Sequence, residues 1–253
     1  MRNPTDTLER PTRRFILLDW LIPLALLLGL TILLRNTNLD LTILRCFFEP
    51  SGGWIYKDMQ PWRFLYDFGT IPAIIIASAS LATFIGSFWI RKITAYRSIA
   101  LFLVLVMIVG PGLIVNTVFK EHWGRPRPRH IDVFSGQEPF LRVWQKGGGG
   151  EGHSFPSGHA SMGFYLLSPF FVVRKTSKKW AVVFLILGLS YGSLLGLARM
   201  VQGAHFLSDV IWAGGFVYLS GLGLYYLLRL DRLGDRTCVS PHRECEPPAH
   251  SSL

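Results

Sequence analysis

The stretch WAVVFLILGLSYGSLLGLA (Trp180–Ala198), RMVQGAH (Arg199–His205) and FLSDVIWAGGFVYLSGLGLYYLL (Phe206–Leu228) decides the fold. At about 1.5 Å of rise per residue, each apolar run as a helix comes close to the roughly 30 Å of a bilayer's hydrocarbon core. The short segment between them is a turn, so the two runs form a helical hairpin across a membrane. Its polar residues, Arg199, His205 and Asp209, gather at one end. Ionisable groups beside hydrocarbon are costly, and they mark a functional site by default.

Working outward, four more apolar runs precede this pair: Phe15–Leu34, Tyr66–Ile90, Ser98–Phe119 and Ser157–Val173. The spacing predicts an all-α, polytopic membrane protein with a bundle of six transmembrane helices over 15–229. A tail at 1–14 precedes it, and a polar, proline-bearing tail at 230–253, expected to be disordered, follows. Composition agrees, since 50% of the 253 residues are hydrophobic and only 17% charged. The net charge of +10 does not indicate nucleic acid, because Lys and Arg lie in short stretches between apolar runs. Cys46, Cys238 and Cys245 have neither metal-site spacing nor the pattern of a disulfide framework.

The first run is long for a signal peptide and lacks a small-residue cleavage pattern, so it reads as a retained helix, with Asp19 satisfied near its start. The aromatics of the 35–65 loop, Phe47, Phe48, Trp54, Tyr56 and Trp62, suit anchoring at headgroup depth. Pro72 and Pro111 are candidate kinks, and Gly147–Gly150 is a flexible tract. Arg2, Arg10, Arg13 and Arg14, then Arg91, Lys92 and Arg97, then Arg174, Lys175, Lys178 and Lys179, all fall on one side of such a bundle. The positive-inside rule makes that side cytoplasmic. The opposite side then carries a basic stretch at Arg125, Arg127 and Arg129, for which an anionic substrate is the simplest explanation.

Three clusters converge on that outer side: Lys120 with Arg127-Pro128, then Pro156-Ser157-Gly158-His159, then Arg199, His205 and Asp209. Ser157 is a good helix N-cap, and the free N–H groups at the helix start make a seat for phosphate. His205 and Asp209 stand four apart, so on a helix the carboxylate can hold one imidazole nitrogen and leave the other basic, as a nucleophile requires. Lys120, Arg127 and Arg199 supply charge for phosphoryl oxygens. Taken singly, each feature also has a structural reading: a His/Asp pair can be a packing contact and Ser-Gly-His only a cap. His122, His130, His153, His159 and His205 could in principle bind zinc, but no metal-site spacing accompanies them, and neither metal nor cofactor is expected.

Together the clusters resemble the type 2 phosphatidic acid phosphatase superfamily, whose pattern is Lys-x6-Arg-Pro, Pro-Ser-Gly-His and Ser-Arg-x5-His-x3-Asp. The spacing selects Arg127 rather than Arg125, and Ala198 stands where the family has Ser. The resemblance implies a membrane lipid phosphatase with His205 as nucleophile, His159 as acid and base, and Asp209 as partner of His205. Lys120, Arg127, Ser157, Gly158 and Arg199 would bind phosphate. It further implies a phosphorylated membrane lipid as substrate, the bilayer as surroundings, no nucleic acid, and a place in a bacterial inner membrane with the site facing the periplasm. His122 to Pro128 is similar to the bacterial lipid A phosphatases, although phosphatidylglycerophosphate and undecaprenyl-diphosphate phosphatases share the core motifs. A lipid phosphotransferase would use the same residues, whereas a non-catalytic anionic-lipid binder or transporter would not need His159, His205 and Asp209 together.

Overall fold

The fold was analysed in a computed structural model that describes residues 13–148 and 152–232. The expectations for 1–12, for Gly149 and Gly150, and for Cys238 and Cys245 in the C-terminal tail lie outside the described residues. Helix α1 (Arg13–Asn36) is followed by a short helix α2 (Leu39–Arg45) and a small hairpin, β1 (Phe48–Glu49) and β2 (Gly53–Trp54). Next come α3 (Trp62–Phe68) and α4 (Ile71–Gly86), then a 3₁₀ turn over Arg91–Tyr96 in place of the expected tight turn. Helix α5 (Arg97–Met107) runs on through π-helical turns at Ile108–Phe119 into α6 (Lys120–His122). After the long loop, α7 (Gly158–Phe164), a 3₁₀ turn and α8 (Ser168–Val173) lead to α9 (Lys178–Val201) and α10 (Leu207–Leu227).

Among the described residues, five helices are long and apolar enough to cross a membrane: Phe15–Asn36, Trp62–Gly86, Arg91–His122, Lys178–Val201 and Leu207–Leu227. The remaining expected span, Gly158–Val173, is a shorter apolar helix of about 24 Å at 1.5 Å per residue. It is the interior element. Gly158, Ala160, Ser161 and every residue from Gly163 to Ser168 are buried, whereas α1 shows most of its apolar side chains to the surroundings.

Close packing onto this interior helix follows from Gly188 and Gly192, one turn apart on α9, while Gly196 a turn further on faces Val210 of α10. A Cβ on Gly188 would lie 2.3 Å from the Leu167 backbone, and one on Gly192 would meet the Phe164 ring. Small residues at such spacing let membrane helices approach backbone to backbone. The π-helical turns follow from Pro111, which cannot donate to the helical ladder. Asn116 Nδ2 also donates to the Pro111 carbonyl, at 2.7 Å.

Helices α1 and α10 run antiparallel and are joined near both ends. At one end Asp19 of α1 pairs with Arg174 and accepts a hydrogen bond from the Tyr226 hydroxyl. The expectation that Asp19 is satisfied by the helix start is therefore corrected to these side-chain partners. At the other end Asp40 of α2 accepts from the Ser208 N–H at 2.9 Å and from its hydroxyl at 2.6 Å. The expectation of disorder from 230 onward is corrected for Leu230–Arg232, a packed 3₁₀ turn whose Asp231 carbonyl accepts from Lys175 Nζ; the rest of the tail lies outside the described residues.

Not all aromatics of the 35–65 loop face the headgroups. Phe48 and Trp54 pack against Phe134 with ring centroids 5.1 and 5.2 Å away. Trp54 also covers Gly203, at φ +62°, where a Cβ would sit 2.2 Å from the indole. The hairpin thus closes over the turn that delivers His205.

Candidate active site

The turn between α9 and α10 sets the geometry. Ala204 N–H donates to the Arg199 carbonyl and Gly203 N–H to that of Met200, both at 2.9 Å, so the chain reverses directly after α9. Asp209 lies in the first turn of α10, where its Oδ2 accepts the Phe206 N–H at 2.8 Å and caps the helix. The same oxygen accepts from Ser154 Oγ at 2.6 Å, and Oδ1 accepts from Arg125 Nη1 at 2.5 Å. His205 precedes the helix. Its Nδ1 is 2.6 Å from the Ser154 carbonyl and 3.6 Å from Asp209 Oδ2. The expected Asp209–His205 hydrogen bond is thus corrected to a Ser154 contact, with the carboxylate flanking the ring. A carbonyl acceptor still fixes Nδ1 as the protonated nitrogen and leaves Nε2 with the lone pair.

His205 is 3% exposed, and burial pushes its pKa down to about 4 against the opposing influence of Asp209. The ring is therefore neutral, and a neutral ring is the form able to attack phosphorus.

Ser157 caps α7, its hydroxyl accepting from the Ala160 N–H at 3.4 Å, and its own N–H donates to the Asp209 carbonyl at 3.2 Å. The second and third clusters are thereby tied by main-chain contact. Gly158 is required by space: a Cβ there would lie 2.7 Å from Asn116 Oδ1 and 3.5 Å from Lys120 Nζ. Lys120 itself reaches Asn116 Oδ1 at 3.4 Å and so lies beside the start of α7.

The charged residues of all three clusters are near enough to act on one another. His159 lies in the field of Lys120, Arg199 and His205, and His205 in that of Arg127 and Arg199. Arg127 is half-buried; burial first, then Arg129, lowers its pKa, so it remains a cation held at a cost that an anion would relieve. Arg127, Arg129 and Arg199 line a cavity of about 200 Å³ together with Lys57, Tyr66 and Gln202. Arg199 donates from Nη1 to Gln202 Oε1 at 2.5 Å, and its Nε is buried with no partner. A buried guanidinium nitrogen without an acceptor is a vacant donor for a phosphoryl oxygen.

Several site residues lie outside the expected set. Arg125, set aside by spacing, is fully buried, donating also to Ser208 Oγ at 2.7 Å, the Leu141 carbonyl at 3.0 Å and Asp40 Oδ2 at 3.1 Å. Its charge is neutralised within the protein, so an anionic substrate does not explain this part of the basic stretch. Arg142, in the same outer loop, donates to the carbonyls of Arg35 and Thr37 and so caps the end of α1. Ser154 stands three residues before Ser157, and only its serine among small residues hinted at a role. Asp40 and Tyr66 carry no local signal. His122 and His153 turn to the carbonyls of Val118 and Lys120.

A family model described as the PAP2 superfamily matches residues 99–232, which takes in all three clusters. The chain belongs to that superfamily. It is 40% identical over 197 residues to a lipid A 4'-phosphatase of Francisella tularensis subsp. novicida, covering 76% of this chain and 86% of that protein. A lipid A 4'-phosphatase of Rhizobium leguminosarum is 37% identical over 119 residues, 46% of this chain and 50% of that one. A phosphatidylglycerophosphatase B of Bacillus subtilis is 29% identical over 164 residues, 63% and 66% of the two chains. No solved structure matches significantly. As a PAP2 member with these relatives and five long apolar helices, the chain is a multi-pass bacterial membrane phosphatase.

Proposed function

We propose that this membrane lipid phosphatase removes a phosphate monoester from a lipid A-type phosphoglycolipid, at the outer face of the bacterial inner membrane, through a phosphohistidine intermediate. The observation that carries the mechanism is the state of His205: buried and neutral, with Nδ1 engaged by the Ser154 carbonyl, in the field of Arg127 and Arg199. Nε2 attacks phosphorus, the P–O bond to the lipid breaks, and His159 gives the departing oxygen its proton. Water then attacks the phosphohistidine, passes a proton to His159, and the N–P bond breaks to release phosphate. Lys120, Arg127, Arg199 and the helix start at Ser157–Gly158 hold the non-bridging oxygens, which is where phosphoryl transfer gains most. Asp209 stabilises the ring as it becomes cationic.

The name and coverage of the Francisella relative support lipid A as substrate. The cation-rich segments 91–97 and 174–179, opposite the site, support a periplasmic orientation. The test is phosphate release by purified enzyme from lipid A, phosphatidylglycerophosphate, phosphatidate and undecaprenyl diphosphate. The expected result is the highest kcat/KM on lipid A, with acid-labile phosphate trapped on wild type and absent from His205→Ala. A preference for another lipid would replace the substrate, and label trapped elsewhere would replace the nucleophile.

A further inference from the structure

Tyr66 touches two of the charged residues of the site, although it belongs to none of the three clusters. It lies on α3, and its ring stacks on that of His159 with centroids 5.2 Å apart and planes 17° from parallel. Its main chain also lies close to the His159 ring. The Arg199 guanidinium carbon stands 4.4 Å from the centre of the same tyrosine ring. Tyr66 therefore meets both the proton donor on α7 and the phosphate-binding cation on α9.

The support behind Tyr66 is itself fixed. Arg63 and Asp67, one turn apart on α3, are paired at 2.8 Å. At the α3–α4 junction the Gly69 carbonyl accepts from the Tyr191 hydroxyl at 2.9 Å, and a Cβ on Gly69 would lie 2.4 Å from the Leu195 side chain. Tyr191 and Leu195 are on α9, the helix that carries Arg199. Thus one helix sets both the height of the tyrosine ring and that of the guanidinium, and Gln202 closes Arg199 from its other side.

We propose that Tyr66 is a positioning residue that aligns His159 for protonation of the leaving oxygen. This rests on the reading of His159 as the proton donor. A general acid must stand about 2.6–3.2 Å from the oxygen it protonates, and an imidazole stacked on one face has less freedom to leave that position. Stacking also favours the ring once it is protonated, through the attraction of a cation to an aromatic face. A tyrosine that serves only packing would have no reason to contact both groups while remaining 38% exposed.

The exposure makes a clean test possible, since truncation leaves the buried bundle intact. Phosphoenzyme formation is measured in a single turnover, with an alkyl phosphate lipid, whose alkoxide must be protonated, and with nitrophenyl phosphate, whose leaving group need not be. Tyr66→Leu and Tyr66→Met should slow the alkyl ester by about 10- to 100-fold, the loss expected from misplacing a catalytic group by about 1 Å. The same variants should slow nitrophenyl phosphate by less than about 3-fold, because acid catalysis is what they lose. Tyr66→Phe keeps the ring and should stay near wild type on both.

Equal losses on the two esters in both aliphatic variants, or no loss in either, would overturn the proposal and leave Tyr66 a packing residue. His159→Ala run beside them separates this failure from that of the underlying reading. If His159→Ala discriminates between the esters and the Tyr66 variants do not, only the positioning role falls. If His159→Ala loses equally on both, the assignment of His159 as donor falls and the role of Tyr66 falls with it.

Discussion

Replacing Arg125 with methionine should unfold the protein before it disturbs substrate binding. The guanidinium is fully buried and is the only cation that pairs with Asp40 and Asp209 among the described residues, at 3.1 and 2.5 Å. Removing one partner of a buried ion pair costs about 3–5 kcal/mol, because the charge left behind has neither water nor a counter-ion. Here two carboxylates are left, so Arg125→Met belongs at the upper end of that range. Asp40→Asn in the same chain removes one of the stranded charges and should restore part of the loss, making the double variant more stable than the sum of its parts. The assay is unfolding in detergent, followed beside phosphate release. Arg127→Met is the control: Arg127 is half-buried and lines the cavity, so it should raise KM with stability nearly unchanged. An Arg125→Met enzyme with wild-type stability and a raised KM would refute the reasoning and return Arg125 to the phosphate contacts.

Two more expectations follow from the same geometry. Because burial holds His205 at about 4, the ring is neutral above that pH, and the acid limb of kcat/KM for nitrophenyl phosphate should bend near pH 4. In the unfolded chain the ring titrates at about 6.5, so its stabilising contribution is present above that value and is lost as pH falls from there toward 4. A limb near 6.5 that persists in His159→Ala would mean that His205 titrates like an exposed histidine. For sidedness, single cysteines replacing the exposed Gln137 and Lys178, in a chain with Cys46, Cys238 and Cys245 removed, should react oppositely with an impermeant thiol reagent on spheroplasts. Labelling is expected at position 137 and protection at 178; the reverse would invert the topology.

The parts of the site that were legible in the sequence are those set by local rules. Ser157 caps a helix because of its own oxygen, Gly158 admits Lys120 and Asn116 because it has no side chain, and the apolar runs state their lengths. What escaped depends on residues far apart in the chain. Spacing from Lys120 sets Arg125 apart from Arg127, but nothing near Arg125 states its own role, since both stand before a proline in a basic stretch. The difference is made by Asp40 and Asp209, each more than eighty positions away, which meet Arg125 only when α2 and α10 pack. The central place of the Gly158–Val173 helix likewise escaped, because hydropathy records apolar residues, not which helix the others surround. Tyr66 is one aromatic among many until α3 is set against α9.

The His205–Asp209 pair shows how sequence spacing can bring two residues together and still misplace their contact. Four-residue spacing places two side chains together only when both are inside a helix. α10 begins at Leu207, so His205 is outside it, while Asp209 is in the first turn, where the unpaired N–H groups are. The carboxylate is drawn to those groups and to Arg125, and the imidazole turns to the Ser154 carbonyl instead. One carboxylate consequently starts the helix, balances a buried arginine and lies beside the His205 ring. Loss of activity in Asp209→Asn would not by itself separate these roles. Asparagine keeps an oxygen able to cap α10 but loses the charge opposite Arg125, so the variant should be less stable as well as less active. Charge-dependent help to His205 is then the part of the rate loss that remains when Asp209→Asn is compared with Asp40→Asn, which weakens the same arginine without touching the ring.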